Sequence, residues 1–206
     1  MRQVYQKMHD LYLVRHAATQ GNIRGAYVGR TDEGLSEAGI SDLLRHIGLG
    51  RYAGVEHVYE SPMRRCVETG RMIYGDTPSS VVEGFIECDF GVFDGKTYDE
   101  LKDLPEYGQW LDSGGLGAAP LGESGFSARK RFCSAFERTV SEIFEKKIEK
   151  AALVIHGGTI MAVMERFSGT ERGFFSWQAR CSEGYHVRLC REMWMKDRKF
   201  AEIFEL

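Results

Sequence analysis

Apolar and polar positions follow two rhythms along this chain. Apolar-rich runs at 11–14, 55–59 and 151–155 read as strands, and the unbroken ones suit burial on both faces. Residues 80–82 give a further short strand. Tyr185, Val187 and Leu189 alternate as another, with 193–206 supplying a hairpin partner. Between them the period changes. Ile40, Leu43, Leu44 and Ile47 recur at helical spacing behind Ser36 as N-cap, and Gly48 ends the run. Ser61-Pro62 places a capping hydroxyl before a proline at the first helical position, which predicts a helix from there to about residue 74. Phe132, Phe136, Val140, Ile143 and Phe144 line one face of a helix over 127–147. Ile160, Val163, Met164 and Phe167 predict another, ending near Gly169.

Strands alternating with helices imply an α/β fold: three layers, α/β/α, around a mainly parallel sheet, in one domain over 1–206. The pattern weakens from 84 to 125. Thr97 caps a short helix through Leu104, and Gly114, Gly115, Gly117, Pro120 and Gly122 mark loop. This stretch reads as a lid inserted over the carboxyl edge of the sheet. An ordinary long surface loop is the alternative.

Composition narrows the functional classes. With 43% apolar and 28% charged residues in 206, the chain can bury a core. A net charge of −3 gives no global attraction to nucleic acid or anionic membrane, so an anion site must be local. The early apolar run is too short for a signal segment or a membrane span. Cys66, Cys88, Cys133, Cys181 and Cys190 are scattered and form no C-x-x-C pair, as in reduced cytoplasmic proteins. His9, His46, His57 and His186 lack metal-ligand spacing, so no metal is expected. Gly48-Leu49-Gly50 follows a helix rather than a strand, so no dinucleotide cofactor is expected either. Phe174, Phe175 and Trp177 read as packing, or else as an apolar wall beside a pocket. Nothing in the sequence fixes an oligomeric state.

Chemistry concentrates at strand ends. Val14-Arg15-His16 and Val154-Ile155-His156 each end a strand in histidine, and parallel strands place both tips on one edge, where open α/β sheets bind ligands. Two histidines and an arginine there suit one phosphoryl group, with His16 the candidate attacking group. Ser61-Pro62-Met63-Arg64-Arg65 follows a third strand and opens a helix, whose N-terminus and arginine fork also favour an anion. Asn22, the only asparagine in the chain, reads as a ligand or as a turn former.

These pieces resemble the histidine phosphatase superfamily. Its opening motif stands as Arg15-His16-Ala17-Ala18-Thr19-Gln20-Gly21-Asn22, and its Asp-x-x-Leu-Ser passage as Asp32 through Gly39. Its Ser-x-Met-x-Arg-Cys-x-x-Thr segment spans Ser61 to Thr69, which singles out Arg65. Glu87 with Gly91-Val92-Phe93-Asp94-Gly95, Gly122-Glu123-Ser124, and His156-Gly157-Gly158-Thr159 follow in order. Ala17 and Ala18 depart from the usual glycine and acidic residue, and Ala17 tests whether the turn tolerates a Cβ.

The resemblance implies roles. His16 would attack phosphorus, giving a phosphohistidine that water hydrolyses. Arg15, Arg65 and His156 would hold the non-bridging oxygens, with Asn22, Thr19 and Gly157 as further substrate contacts. Glu87 would be the general acid and then the base, with Glu83 a competitor. No metal or other cofactor is implied. The compact span from Glu87 to His156 resembles the phosphatase branch, including α-ribazole phosphatases, acting on a small-molecule phosphate ester. A phosphoglycerate mutase and a non-catalytic phosphate- or phosphoprotein-binding module are the alternatives.

Overall fold

In β1 (Met8–Arg15), Leu11 and Leu13 face one side and Tyr12 and Val14 the other, and all four are buried. A strand apolar on both sides needs cover on both. The computed structural model describes residues 7–206. There β1 pairs in parallel with β4 (Lys150–Ile155), β4 with β2 (His57–Glu60), and β2 with β3 (Ser79–Val81). On its other side β1 pairs antiparallel with β5 (Gly184–Cys190), which pairs antiparallel with β6 (Glu202–Glu205). The order is β3-β2-β4-β1-β5-β6, so the sheet is mixed: parallel in one half, antiparallel at the other edge.

Eight helices flank it: α1 (Gln20–Ile23), α2 (Glu37–Gly48), α3 (Arg64–Tyr74), α4 (Tyr98–Leu101), α5 (Pro105–Asp112), α6 (Gly125–Glu145), α7 (Gly157–Phe167) and α8 (Arg191–Asp197) among the described residues. Phe136, Val140 and Ile143 of α6 and Ile160, Val163 and Phe167 of α7 pack on Leu11, Leu13, Leu153 and Ile155. On the opposite face Tyr12, Val14 and Ala152 meet Tyr52, Ile73 and Tyr74, and Val58 and Val154 meet Cys66 of α3. Both faces are thus closed by helices, giving three layers.

Local chemistry sets the helix starts. Ser36 Oγ accepts the Gly39 N–H at 3.0 Å, capping α2. Gly39 itself must be glycine, because a Cβ there would lie 2.0 Å from the Ala18 carbonyl oxygen. Ser124 caps α6 by accepting from Ser127 N–H at 3.1 Å, so that helix begins before its apolar stripe does.

Three expectations change. Helix α3 starts at Arg64, with Met63 as an N-cap lacking a side-chain bond; Ser61 Oγ accepts the Met63 N–H at 3.4 Å and also meets a histidine. The helix expected from Thr97 to Leu104 ends at Leu101, and a second helix, which the sequence pattern does not mark, follows it. Thr97 and Glu100 form a capping box for α4, and Pro105 opens α5 at a position where its missing N–H costs nothing. Residues 193–206 are not one strand. The buried Trp194 packs with Phe136, Phe167 and Phe200, which holds α8 against the core and leaves only β6 for pairing.

Candidate active site

The parallel register brings three chain segments to one edge. Arg15 lies opposite Ile155 and Glu60 opposite Val154, so His16, His156 and Ser61 emerge side by side. The rings of His16 and His156 are 5.2 Å apart, inclined at 67°. His156 Nε2 and Ser61 Oγ are 2.7 Å apart. His16 Nδ1 lies 2.8 Å from the Ala17 carbonyl, which can only accept, so Nδ1 carries the proton and Nε2 keeps its lone pair. Burial, with Arg65 and Arg15 adding repulsion, lowers the His16 pKa well below the ordinary histidine value. His156 is lowered well below it too, by burial first and then by Arg65 and the neighbouring histidine. Both imidazoles are neutral at neutral pH. Ala17 is buried, donates its N–H to Thr69 Oγ1 at 3.0 Å, and has no left-handed φ, so the turn accepts alanine.

A cavity of about 460 Å³ opens at this edge. Arg15, His16, Asn22, Glu87, Gly157 and Gly158 line one end of it. Arg15 donates from Nη1 to the Ala179 carbonyl at 2.9 Å, and its Nε is buried without a protein acceptor. Arg65 is fully buried behind the cavity rather than on its wall. Its Nη atoms donate to the carbonyls of Gly29 and Thr31 at 2.9 Å, and its Nε is a second orphaned donor. Buried guanidinium donors rarely go without an acceptor, so two here suit an anion.

Glu87 is 7% exposed. Burial raises its pKa from the ordinary carboxylate value, opposed by the Cys88 and Gly158 N–H groups and by both arginines. Cys88 N–H donates to Oε1 at 2.8 Å. Gly158 must lack a side chain, because a Cβ would stand 2.7 Å from that same oxygen. The competitor Glu83 is exposed and absent from the cavity wall.

The remaining candidates divide. Asn22 Oδ1 accepts from Thr19 N–H at 3.1 Å and Thr19 Oγ1 at 3.0 Å, closing the capping box of α1, and Asn22 lines the cavity. Thr19 is fully buried and off the cavity wall, so it positions Asn22. Phe174 and Phe175 line the cavity, whereas Trp177 is core. His9, His57 and His186 bond Ile148 O, Ser80 Oγ and Asp10 Oδ1 respectively, and His46 sits 3.4 Å from Ser182 O. Cys66, Cys88, Cys133 and Cys181 are free thiols. Burial pushes the Cys88 thiol up to about 12 and Cys133 to about 11, so neither is a nucleophile. No group of three or more His, Cys, Asp or Glu side chains suited to a metal occurs among the described residues.

Motif reading missed the braces. Ser182 adopts φ 67° and donates its N–H to the Arg15 and His16 carbonyls at 3.1 and 3.3 Å, while its own carbonyl accepts Tyr52 OH at 2.7 Å. A non-glycine residue held left-handed beside a site marks strain stored there. Arg131 of α6 donates to the Gly84, Ile86 and Glu87 carbonyls at 3.1, 2.5 and 3.4 Å and pairs with Glu123, fixing the strand of chain that carries Glu87. Glu123 also accepts the Asp89 N–H at 3.1 Å. Nothing in the sequence singles out Arg131, which stands among Ser127, Ser134 and Arg138 at helical spacing.

Residues 11–187 match the Histidine phosphatase superfamily (branch 1). A Hydrogenobacter thermophilus protein provisionally named phosphoserine phosphatase 2 is 30% identical, over 79% of this chain and 80% of its own. The adenosylcobalamin/alpha-ribazole phosphatase of Salmonella typhimurium is 27% identical over 84% of this chain and 86% of its own. Phosphoglycerate mutases are also among the relatives. The crystal structure of the alpha-ribazole phosphatase from Shigella flexneri superposes with a TM-score of 0.74 at 21% identity, covering 86% of this chain and 89% of that one.

Proposed function

This chain belongs to the histidine phosphatase superfamily, and we propose on that premise that it hydrolyses small organic phosphate monoesters through a phosphohistidine at His16. His16 Nε2 attacks phosphorus, the N–P bond forms, and the ester P–O bond breaks. The leaving alkoxide takes the proton of the Glu87 carboxyl. A water then gives its proton to the Glu87 carboxylate and attacks phosphorus, the N–P bond breaks, and inorganic phosphate departs with Glu87 protonated again. Arg15 neutralises the non-bridging oxygens from the cavity wall, and Arg65 and His156 support them from behind. Most of the barrier reduction in phosphoryl transfer is positioning and charge stabilisation, which this set supplies.

The observation that carries the reading is the tautomer of His16. Its Nδ1 is tied to the Ala17 carbonyl, so a neutral ring offers Nε2 at the cavity floor beside an arginine and a buried carboxyl. A binding module would need the cations but not a histidine kept deprotonated or an acid with a raised pKa. The substrate in this reading is a small molecule, since the cavity holds about 460 Å³. Nucleic acid and membrane play no part in it, and no helix of the described residues is long and apolar enough to cross a membrane.

The test is turnover of p-nitrophenyl phosphate with EDTA present. Steady phosphate release is expected, and loss of turnover on chelation contradicts the route. A parallel assay with 3-phosphoglycerate and 2,3-bisphosphoglycerate separates a mutase. Rapid formation of 2-phosphoglycerate without net phosphate release favours that alternative.

A further inference from the structure

Beyond its phosphoryl end, the cavity runs between two aromatic walls. On one side Phe90 and Trp110 meet edge to face at 6.3 Å, with Tyr27 at 5.3 and 5.5 Å from them. On the other, the 3-10 turn Phe174–Trp177 presents Phe174 and Phe175, edge to face at 5.1 Å. The walls come together at Gly115, where a Cβ would lie 3.5 Å from Trp110 and 3.9 Å from Phe175. All five rings line the cavity, and Phe175 remains 60% exposed, so core packing does not account for it.

Charge at this end is already matched. Besides Arg15, the cavity-lining cation among the described residues is Arg129. Its guanidinium lies flat on Phe174, with Cζ 3.4 Å from the ring centroid. It also pairs with Glu165 at 3.5 Å and donates to the Gly114 carbonyl at 3.2 Å. A carboxylate on the leaving group would lose hydration against ring faces and meet no uncommitted cation. A flat neutral ring would leave nothing unpaired and would stack.

We infer that the leaving alcohol of the natural substrate carries an uncharged aromatic ring, seated between Trp110 and the Phe174–Phe175 pair, with the phosphoryl group at Arg15 and His16. This rests on the phosphate-ester reading above. It makes amino-acid and hydroxy-acid phosphates poor substrates.

The test compares 3-phenylpropyl phosphate with propyl phosphate, whose alkoxides have similar basicity, so the ring is the variable. The expected kcat/KM ratio is about tenfold or more in favour of the ring, the scale set by burying a phenyl group. O-phosphoserine should rank last. Trp110→Ala and Phe174→Ala should bring the ratio toward unity, and a ratio taken within one variant is independent of how much of it folds. Equal rates in the wild type, or preference for propyl phosphate or O-phosphoserine, overturn the inference. Calorimetric titration with the unreactive 3-phenylpropylphosphonate and propylphosphonate separates the two claims. Ring-dependent affinity without turnover of any ester keeps the aromatic seat between Trp110 and Phe174–Phe175 and removes the hydrolase reading, and with it the leaving alcohol. Turnover with no ring dependence does the reverse, and binding of neither phosphonate overturns both.

Discussion

At the scale of single residues, the proposed reaction depends on two protons being in the right places. His16 must lack one at Nε2 and Glu87 must hold one, and burial pushes each group toward that state. The leaving group decides how much the second proton matters. Glu87→Gln, which cannot transfer a proton, should lower kcat/KM, which reports the steps through release of the alcohol and not the later water attack, by about 10²–10⁴-fold for alkyl esters. It should cost far less with p-nitrophenyl phosphate, whose phenolate departs unprotonated. Steady-state kinetics on both esters checks this, and equal losses would move the acid elsewhere. That His16, His156, Arg15, Asn22 and Glu87 come together was legible in the sequence, because each stands in a short run of motif residues at a strand end or turn. Thr19 could not be sorted from them. Its place in a motif says nothing of whether a hydroxyl faces substrate or, as here, the side chain of Asn22. Serine before proline reads as a helix cap, and only the register of two strands shows that Ser61 meets His156.

At the scale of elements, the site depends on how helices seat the acid. Helix α6 holds the Glu87 segment through Arg131, and α7 presents Gly158 to its carboxylate. Arg131→Met should therefore reduce kcat by about tenfold or more with little change in KM, since small misplacements of a reacting group are costly. It should show the same leaving-group dependence as Glu87→Gln, which a merely destabilised protein would not. Gly158→Ala should drop kcat by about 10²-fold for the same reason. Wild-type kcat in Gly158→Ala would mean that the carboxyl does not work from where it sits. Element types were legible wherever apolar spacing was regular, as in α2, α6 and α7. They failed at Trp194, which draws its segment into a helix against Phe167 and Phe136, and at α5, which starts on Pro105 in a stretch whose apolar spacing is too irregular to mark a helix.

At the scale of the whole molecule, the fold assembles residues that are remote in sequence, and stability should show it. His16 and His156 are buried with pKa values below their unfolded value, 6.5. Above pH 6.5 neither state binds those protons. As pH falls below it the unfolded chain gains protons that the folded one refuses, so stability declines toward the folded pKa values. Glu87 acts oppositely, its contribution being lost as pH rises from 4.5 through its raised folded value. Denaturant midpoints should thus fall on acidification below 6.5, with a shallower slope in His156→Gln, and an unchanged slope would show His156 protonated or exposed. The two-sided apolar pattern of β1 and β4 made the layered sheet legible, but not the antiparallel edge, because β5 carries the same kind of alternation in either direction. The convergence itself is tested most directly at His16. A phosphate monoester is mixed with the enzyme, quenched in denaturant at alkaline pH, where phosphohistidine survives, and the digest is read by mass spectrometry. One phosphoryl group is expected on His16 of the wild type and none in His16→Ala. Phosphate on another residue, or turnover in His16→Ala, would contradict it.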